Sequence, residues 1–67
     1  MNLNLRQAIV QKIQNKSSDE ITQVIADSIG GDEHVLPGLG VLFEIIWEHS
    51  EETTKQQLSE TLKNHLE

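Results

Sequence analysis

The residues with the clearest potential for chemistry form the segment Leu36–Gly40, which reads Leu-Pro-Gly-Leu-Gly. Glycines let a backbone approach a bound group closely, and the amides at the start of a helix attract anions. The backbone amides of Gly38, Leu39, Gly40 and Val41 could bind an anion in this way, so these four residues form a candidate phosphate-binding turn. The same pattern also suits a connection between two helices that binds nothing, and we favour this second interpretation.

The segment resembles the hairpin of the helix-hairpin-helix DNA-binding motif, in which a Leu-Pro-Gly-hydrophobic-Gly turn directs amides at a DNA phosphate. That motif usually continues with a basic or small polar residue, whereas Val41, Leu42 and Phe43 follow here. The net charge of -6 also opposes binding, because affinity for phosphates comes largely from Lys and Arg. Contact with a nucleic-acid backbone is therefore the alternative prediction and not the main one.

Histidine and carboxylate side chains raise the question of a metal site. His34, His49 and His65 lie far apart, and no pair has the spacing that places two ligands on one helical face. Two local groups contain candidate ligands: Asp32 with Glu33 and His34, and Glu44 with Glu48, His49 and Glu52. Carboxylates on such helical faces are usually solvated, so we predict no metal site and no cofactor.

The sequence contains no recognisable catalytic motif. It has no cysteine, phosphate loop or nucleophile elbow, and no isolated carboxylate pair whose pKa values burial would separate. Glu44 is the carboxylate within the apolar segment, and we expect it on a narrow solvent-facing stripe. We therefore predict that the protein is not an enzyme and has no small-molecule substrate.

The acidic composition limits the classes of partner. Eleven Asp and Glu against five Lys and Arg give a pI near 4.8, which argues against nucleic acids and anionic membrane surfaces. The apolar run Val35–Trp47 is too short to span a bilayer and contains Glu44. The first residues lack the apolar segment of a signal peptide. These features predict a soluble intracellular protein without a membrane partner.

Hydrophobic periodicity predicts four helices, and the first two have recognisable ends. The first helix begins at Asn2 or Asn4, either of which can cap it, and ends by position 15. The second helix begins with a capping box between Ser17 and Glu20. It ends at the glycine pair 30–31, because glycine adopts the left-handed conformation without strain.

The third predicted helix follows Pro37 and is apolar around most of its circumference. Only Gly40, Glu44 and Glu48 form a polar stripe on it. A helix of this kind must be buried on several sides, so we expect it at the centre of the fold.

The fourth predicted helix is mostly polar. It starts at Ser50, and Glu51 and Lys55 form a favourable pair four residues apart. Its leucines at positions 58, 62 and 66 form a narrow seam that can pack against one neighbour only.

Together the helices predict an all-α fold in a single domain, residues 1–67: a small bundle of three to four helices around a central apolar helix. The core of so short a chain rarely supplies more than about 3–5 kcal/mol without disulfides or metals. We therefore expect association, as a homo-oligomer or with another protein. The candidate interaction surface consists of Val41, Ile45 and Trp47, although we favour a core position for Trp47, because aromatic side chains bury a large area.

Over nearly its whole length the sequence resembles the small acid-soluble spore protein I family, minor proteins of the dormant spore core in Bacillus-like bacteria. The similarity is strongest in Leu36–Trp47 and extends to Leu3–Arg6, Ile25–Ile29 and Gly31–Glu33. This resemblance implies a sporulation-related protein of the spore core with no enzymatic activity. Such a protein would act by packing or by protein association.

Overall fold

The computed structural model describes residues 4–66, which form four α-helices and a short 3₁₀ turn. The elements are α1 (Leu5–Ile13), α2 (Ser18–Ser28), the 3₁₀ turn (Glu33–Val35), α3 (Leu36–Glu48) and α4 (Glu52–Asn64). Residues 4–66 contain no strand, and the predicted all-α class is confirmed. The single domain over residues 1–67 stays a prediction.

The start of α1 is one of the two predicted positions. Asn4 caps the helix, and its side-chain oxygen accepts a hydrogen bond from the Gln7 amide at 3.3 Å. The other candidate, Asn2, lies outside the described residues. The helix ends at Ile13, within the predicted limit.

The ends of α2 follow the predicted local chemistry. The Glu20 amide donates to the Ser17 hydroxyl at 3.2 Å, and the Ser17 amide donates to the Glu20 carboxylate at 2.9 Å. This reciprocal capping box satisfies two amides that have no partner inside the helix. Beyond the helix, Gly30 has a φ of 74°, the left-handed conformation that glycine adopts without strain.

The predicted tight turn at Leu36–Gly40 is wrong, because these residues are the first turns of α3. The chain reverses earlier, through Gly30 and the 3₁₀ turn, where the Val35 amide donates to the Asp32 carbonyl at 3.1 Å. Pro37 lies in the first helical turn, where a missing N–H removes no helical hydrogen bond. Gly38 and Gly40 are therefore helical residues.

The predicted start of α4 at Ser50 is two residues early. The Ser50 hydroxyl donates to the Ile46 carbonyl at 2.6 Å and so belongs to the end of α3. Glu51 is the N-cap, with extended backbone at φ -76° and ψ 163°, and α4 begins at Glu52.

The helix α3 occupies the centre of the fold, as predicted, with α1 and α2 packed against it. Val41 is the one buried hydrophobic side chain among the described residues, with 7% of its surface exposed. A cavity of about 410 Å³ remains between α1, α2 and α3, bordered by side chains such as Ile9, Val24 and Leu42. The core is therefore small and incompletely filled.

Candidate functional site

A groove with a volume of about 780 Å³ lies between α3 and α4. We call it the α3–α4 groove and define it by four apolar side chains: Phe43 and Trp47 of α3, and Leu58 and Leu62 of α4. Phe43 and Trp47 lie on successive turns, with ring centroids 5.9 Å apart and ring planes inclined by 40°. This tilted contact is a favourable aromatic geometry, so the two rings form one apolar wall.

The groove is open because α4 approaches α3 at few points. Leu58 is half-buried, whereas Leu62 has 60% of its surface exposed. Phe43 on the opposite wall has 48% of its surface exposed. An isolated stripe of leucines provides too little apolar surface to fill the space beside two aromatic rings. The groove consequently leaves its hydrophobic walls in contact with water.

Lys55 lies beside the indole ring of Trp47, which forms part of the groove wall. Its ammonium nitrogen lies 5.7 Å from the ring centroid of Trp47, within the range of a cation–π interaction. The same nitrogen lies 3.7 Å from a carboxylate oxygen of Glu52. Lys55 thus pairs with Glu52 in place of the predicted Glu51, which is the N-cap of α4 and has extended backbone.

The three residues predicted as an interaction surface have different positions in the fold. Val41 faces the core and is buried, so it offers no surface to a partner. Ile45 is 37% exposed, and Trp47 is half-buried in the wall of the groove. Binding by these residues stays a prediction, now limited to the last two of them.

The predicted interaction surface omitted Phe43, Ile46 and Leu62, which are among the exposed apolar residues of α3 and α4. Phe43 and Ile46 lie on the third predicted helix, which was expected to be buried on several sides. The available signal was the narrow leucine seam of α4, which is too thin to cover a helix that is apolar on most sides.

The four residues of the candidate phosphate-binding turn lie at the start of α3. In an α-helix each amide bonds to the carbonyl four residues earlier, which occupies the amides of Leu39, Gly40 and Val41. The position of a Cβ on Gly38 would be 3.3 Å from Cδ1 of Ile9, so α1 covers that glycine. Phosphate binding by Gly38, Leu39, Gly40 and Val41 stays a prediction, and this geometry leaves it few free donors.

Arg6 lies near this helix start, beside Pro37 and Gly40, and it is paired with Glu44. Its Nε and Nη2 atoms donate to the two carboxylate oxygens at 2.5 and 2.8 Å. The hydrogen bonds from Arg6 lower the pKa of Glu44, and those to Glu44 raise the pKa of Arg6. This forked pair neutralises the guanidinium, which further reduces the attraction of the region for a phosphate.

Polar groups elsewhere form local pairs on the surface. His34 Nδ1 lies 2.9 Å from a carboxylate oxygen of Asp32, and this hydrogen bond lowers the pKa of Asp32. Nδ1 of His65 lies 2.7 Å from the carbonyl oxygen of Thr61. Within residues 4–66 no three metal-binding side chains come together. No helix in that range combines the length and apolar character needed to cross a membrane.

Comparison with known proteins assigns the chain to a family. The family model described as "Small, acid-soluble spore protein I" matches residues 3–66. No solved structure matches the chain.

Three relatives with that description illustrate the similarity. The protein of Bacillus licheniformis is 46% identical over 98% of this chain and 96% of its own length. That of Geobacillus is 48% identical over 94% of this chain and 90% of its own length. That of Halalkalibacterium halodurans is 47% identical over the full length of both chains. With nearly its whole length matched, the chain belongs to the small, acid-soluble spore protein I family.

Proposed function

We propose that the protein acts in the spore core as a non-enzymatic component and that it works by associating with protein. Membership of a spore protein family supplies the sporulation context. The observation that carries the mechanism is the open α3–α4 groove, whose aromatic wall is exposed in a chain with one buried hydrophobic side chain among residues 4–66.

Exposed apolar surface of this kind favours a protein partner. Contiguous hydrophobic patches on small proteins commonly mark interaction sites, because covering them removes apolar area from water. Phe43, Trp47 and Leu62 provide large side chains of the types that anchor interfaces. Polar residues such as Glu48 and Ser59 lie among them, but the exposed surface of the groove is mostly apolar, so the groove is suited to apolar contact.

The alternative function, contact of the Gly38–Val41 amides with nucleic-acid phosphates, has weaker support. Three of the four amides belong to residues bonded within α3, and the nearby Arg6 is paired with Glu44. A net charge of -6 would also repel a polyanion. Protein association requires neither free amides nor excess positive charge.

Light-activated crosslinking inside spores tests the proposed function. A photoreactive phenylalanine analogue replaces Leu62 in the wall of the groove, and Gln57 on an exposed part of the same helix in the control. We expect discrete higher-mass adducts from position 62 and not from position 57 after irradiation of dormant spores. Equal adduct yields, or none at position 62, would contradict association through the groove.

The same spore preparation tests whether the protein lies in the spore core. Spores are stripped of their coats before extraction, and the tagged chain is followed through the fractions. We expect it in the fraction released only when the core is broken open. Recovery with the coat proteins would contradict a role in the core.

A further inference from the structure

We propose that the partner in the α3–α4 groove is a second copy of this chain, so that the protein forms a symmetric homodimer. This inference rests on the proposed function and identifies the partner of the same groove. It commits each copy to two roles: the exposed Leu62 is inserted into the other copy, and the wall formed by Phe43 and Trp47 receives the partner's leucine.

The accessible surface of the chain is the first argument. The chain of 7.6 kDa exposes 5723 Å², whereas a folded monomer of that mass is expected to expose about 4,300 Å². The excess is roughly 1,400 Å², and a standard dimer covers about 800 Å² on each partner. The surplus surface is thus large enough to supply one side of a stable interface.

The dimensions of the fold lead to the same conclusion. The radius of gyration is 13.2 Å, whereas a compact domain of this length is expected to have a value near 11 Å. The fold is thus extended for its length, and the α3–α4 groove is one place where its elements are not closely packed. A second copy seated in the groove would cover the apolar surface exposed there.

The groove is suited to an isologous contact, in which both copies use the same patch. Each copy presents a protruding aliphatic side chain, Leu62, next to a receptive aromatic wall, Phe43 with Trp47. A two-fold rotation that places α4 of one copy against α3 of the other brings each Leu62 against the aromatic wall of the other copy. Within one chain, Leu62 and the aromatic pair lie on opposite walls of the open groove.

Charge determines the salt dependence of this arrangement. Glu44 and Glu48 border the groove on α3, and Glu44 is already paired with Arg6 of the same chain. Since each copy has a net charge of -6, added salt should strengthen the dimer by screening the long-range repulsion. Phosphate binding has the opposite dependence, because salt weakens it.

Sedimentation equilibrium of the purified full chain tests the proposal, with protein from about 10 μM to about 1 mM and with low and high salt. We expect the mass to rise from 7.6 kDa toward twice that value as concentration increases, and to rise earlier at high salt. Leu62→Glu should weaken association at least about tenfold, since it places a charge in the apolar contact. The charge-matched control Gln57→Glu should associate like the parent protein.

Two outcomes would overturn the homodimer. The first is a mass of 7.6 kDa at every concentration, and the second is equal weakening by Leu62→Glu and Gln57→Glu. Circular dichroism of the variants reports whether Leu62→Glu still folds.

If Leu62→Glu fails to fold, engineered thiols provide the decisive measurement, because the sequence contains no cysteine. Under mild oxidation, mixed Phe43→Cys and Leu62→Cys chains should form a heterodisulfide faster than Phe43→Cys mixed with Gln57→Cys. Equal rates would overturn the proposed contact.

The failure of this inference can be distinguished from failure of the proposed function. A monomer in solution together with a groove-specific adduct to a different protein in spores overturns the homodimer and leaves protein association standing. A monomer in solution and no groove-specific adduct overturns both. An adduct in spores with the mass of two chains supports both.

Discussion

At the scale of single residues, the Arg6–Glu44 pair shows what sequence reasoning could not supply. The two residues are 38 positions apart, and their contact depends on the angle at which α1 crosses α3. The sequence correctly indicated that Glu44 lies on the polar stripe of an apolar helix. It contained no periodic signal that Arg6 would lie opposite, so it predicted a solvated carboxylate where the structure has a forked ion pair.

We predict that the contribution of this pair to stability disappears in acid. The hydrogen bonds from Arg6 lower the pKa of Glu44 below its ordinary value of 4.5. The pair therefore contributes its full stabilisation at pH values above 4.5. The contribution is lost as pH falls through the lowered pKa of the folded state. Glu44→Gln should therefore reduce the urea midpoint slightly at pH 7, and the difference should vanish near pH 2.

The matched control for this prediction is Glu48→Gln. It removes the same charge one turn further along α3 and leaves both hydrogen bonds of the pair in place. A pH-independent difference between Glu44→Gln and the parent protein would contradict the prediction.

The two helical glycines of α3 lead to a second prediction at this scale. A Cβ on Gly40 would have open space around it, whereas one on Gly38 would lie 3.3 Å from Ile9 Cδ1. Alanine restricts the unfolded chain and favours the helix, so Gly40→Ala should raise the free energy of unfolding by roughly 0.5–1 kcal/mol. Gly38→Ala should gain less, because Ile9 must move. Chemical denaturation that ranks the two variants in the reverse order would contradict this account.

At the scale of elements, local chemistry predicted the helix ends well where they depend on neighbouring residues. The Asn4 cap, the capping box of Ser17 with Glu20 and the glycine stop are all present. The α3 helix begins close to Pro37, as predicted, but the tight turn expected at Leu36–Gly40 was wrong, because the chain already reverses at Gly30 and in the 3₁₀ turn. The prediction also failed at Ser50, whose hydroxyl bonds back to α3 and delays the start of α4.

The capping box gives the prediction that belongs to this scale. Ser17→Ala removes the acceptor for the Glu20 amide and should cost about 1 kcal/mol of stability. For a domain of this length that corresponds to a melting temperature lower by roughly 4–8 °C. Ser18→Ala is the control, since it makes the same chemical change one residue inside α2 and leaves the box intact. Thermal melts with equal losses for both variants would contradict the role of the cap.

At the scale of the whole molecule, the sequence predicted the class of the fold and the central position of α3, but not the groove. Periodicity shows which side of a helix is apolar, and it does not show how closely the next helix approaches. The distance between α3 and α4 depends on the Glu48–Glu52 connection and on the few leucines of α4. The predicted interaction surface included Trp47 and Ile45 but not Phe43 and Leu62, which line the groove.

Net charge is the property of the whole molecule that governs its behaviour in acid. At pH 7 the eleven carboxylates outnumber the five Lys and Arg, and the formal charge is -6. Near pH 2 the carboxylates are neutral, and the five Lys and Arg with three His give eight positive charges. Repulsion between copies is strong at both extremes and weak between them, near the pI of 4.8.

We therefore predict a solubility minimum near pH 4.8 and high solubility again near pH 2. The measurement is the concentration that remains in solution after equilibration across this pH range. Glu60→Lys changes the charge by two units at an exposed site of α4 and should move the minimum to higher pH. The homodimer should follow the same dependence, with its strongest association near the minimum and dissociation in acid, where eight like charges oppose each copy. A solubility that only falls as pH decreases would show that apolar surface, and not charge, controls the acid behaviour.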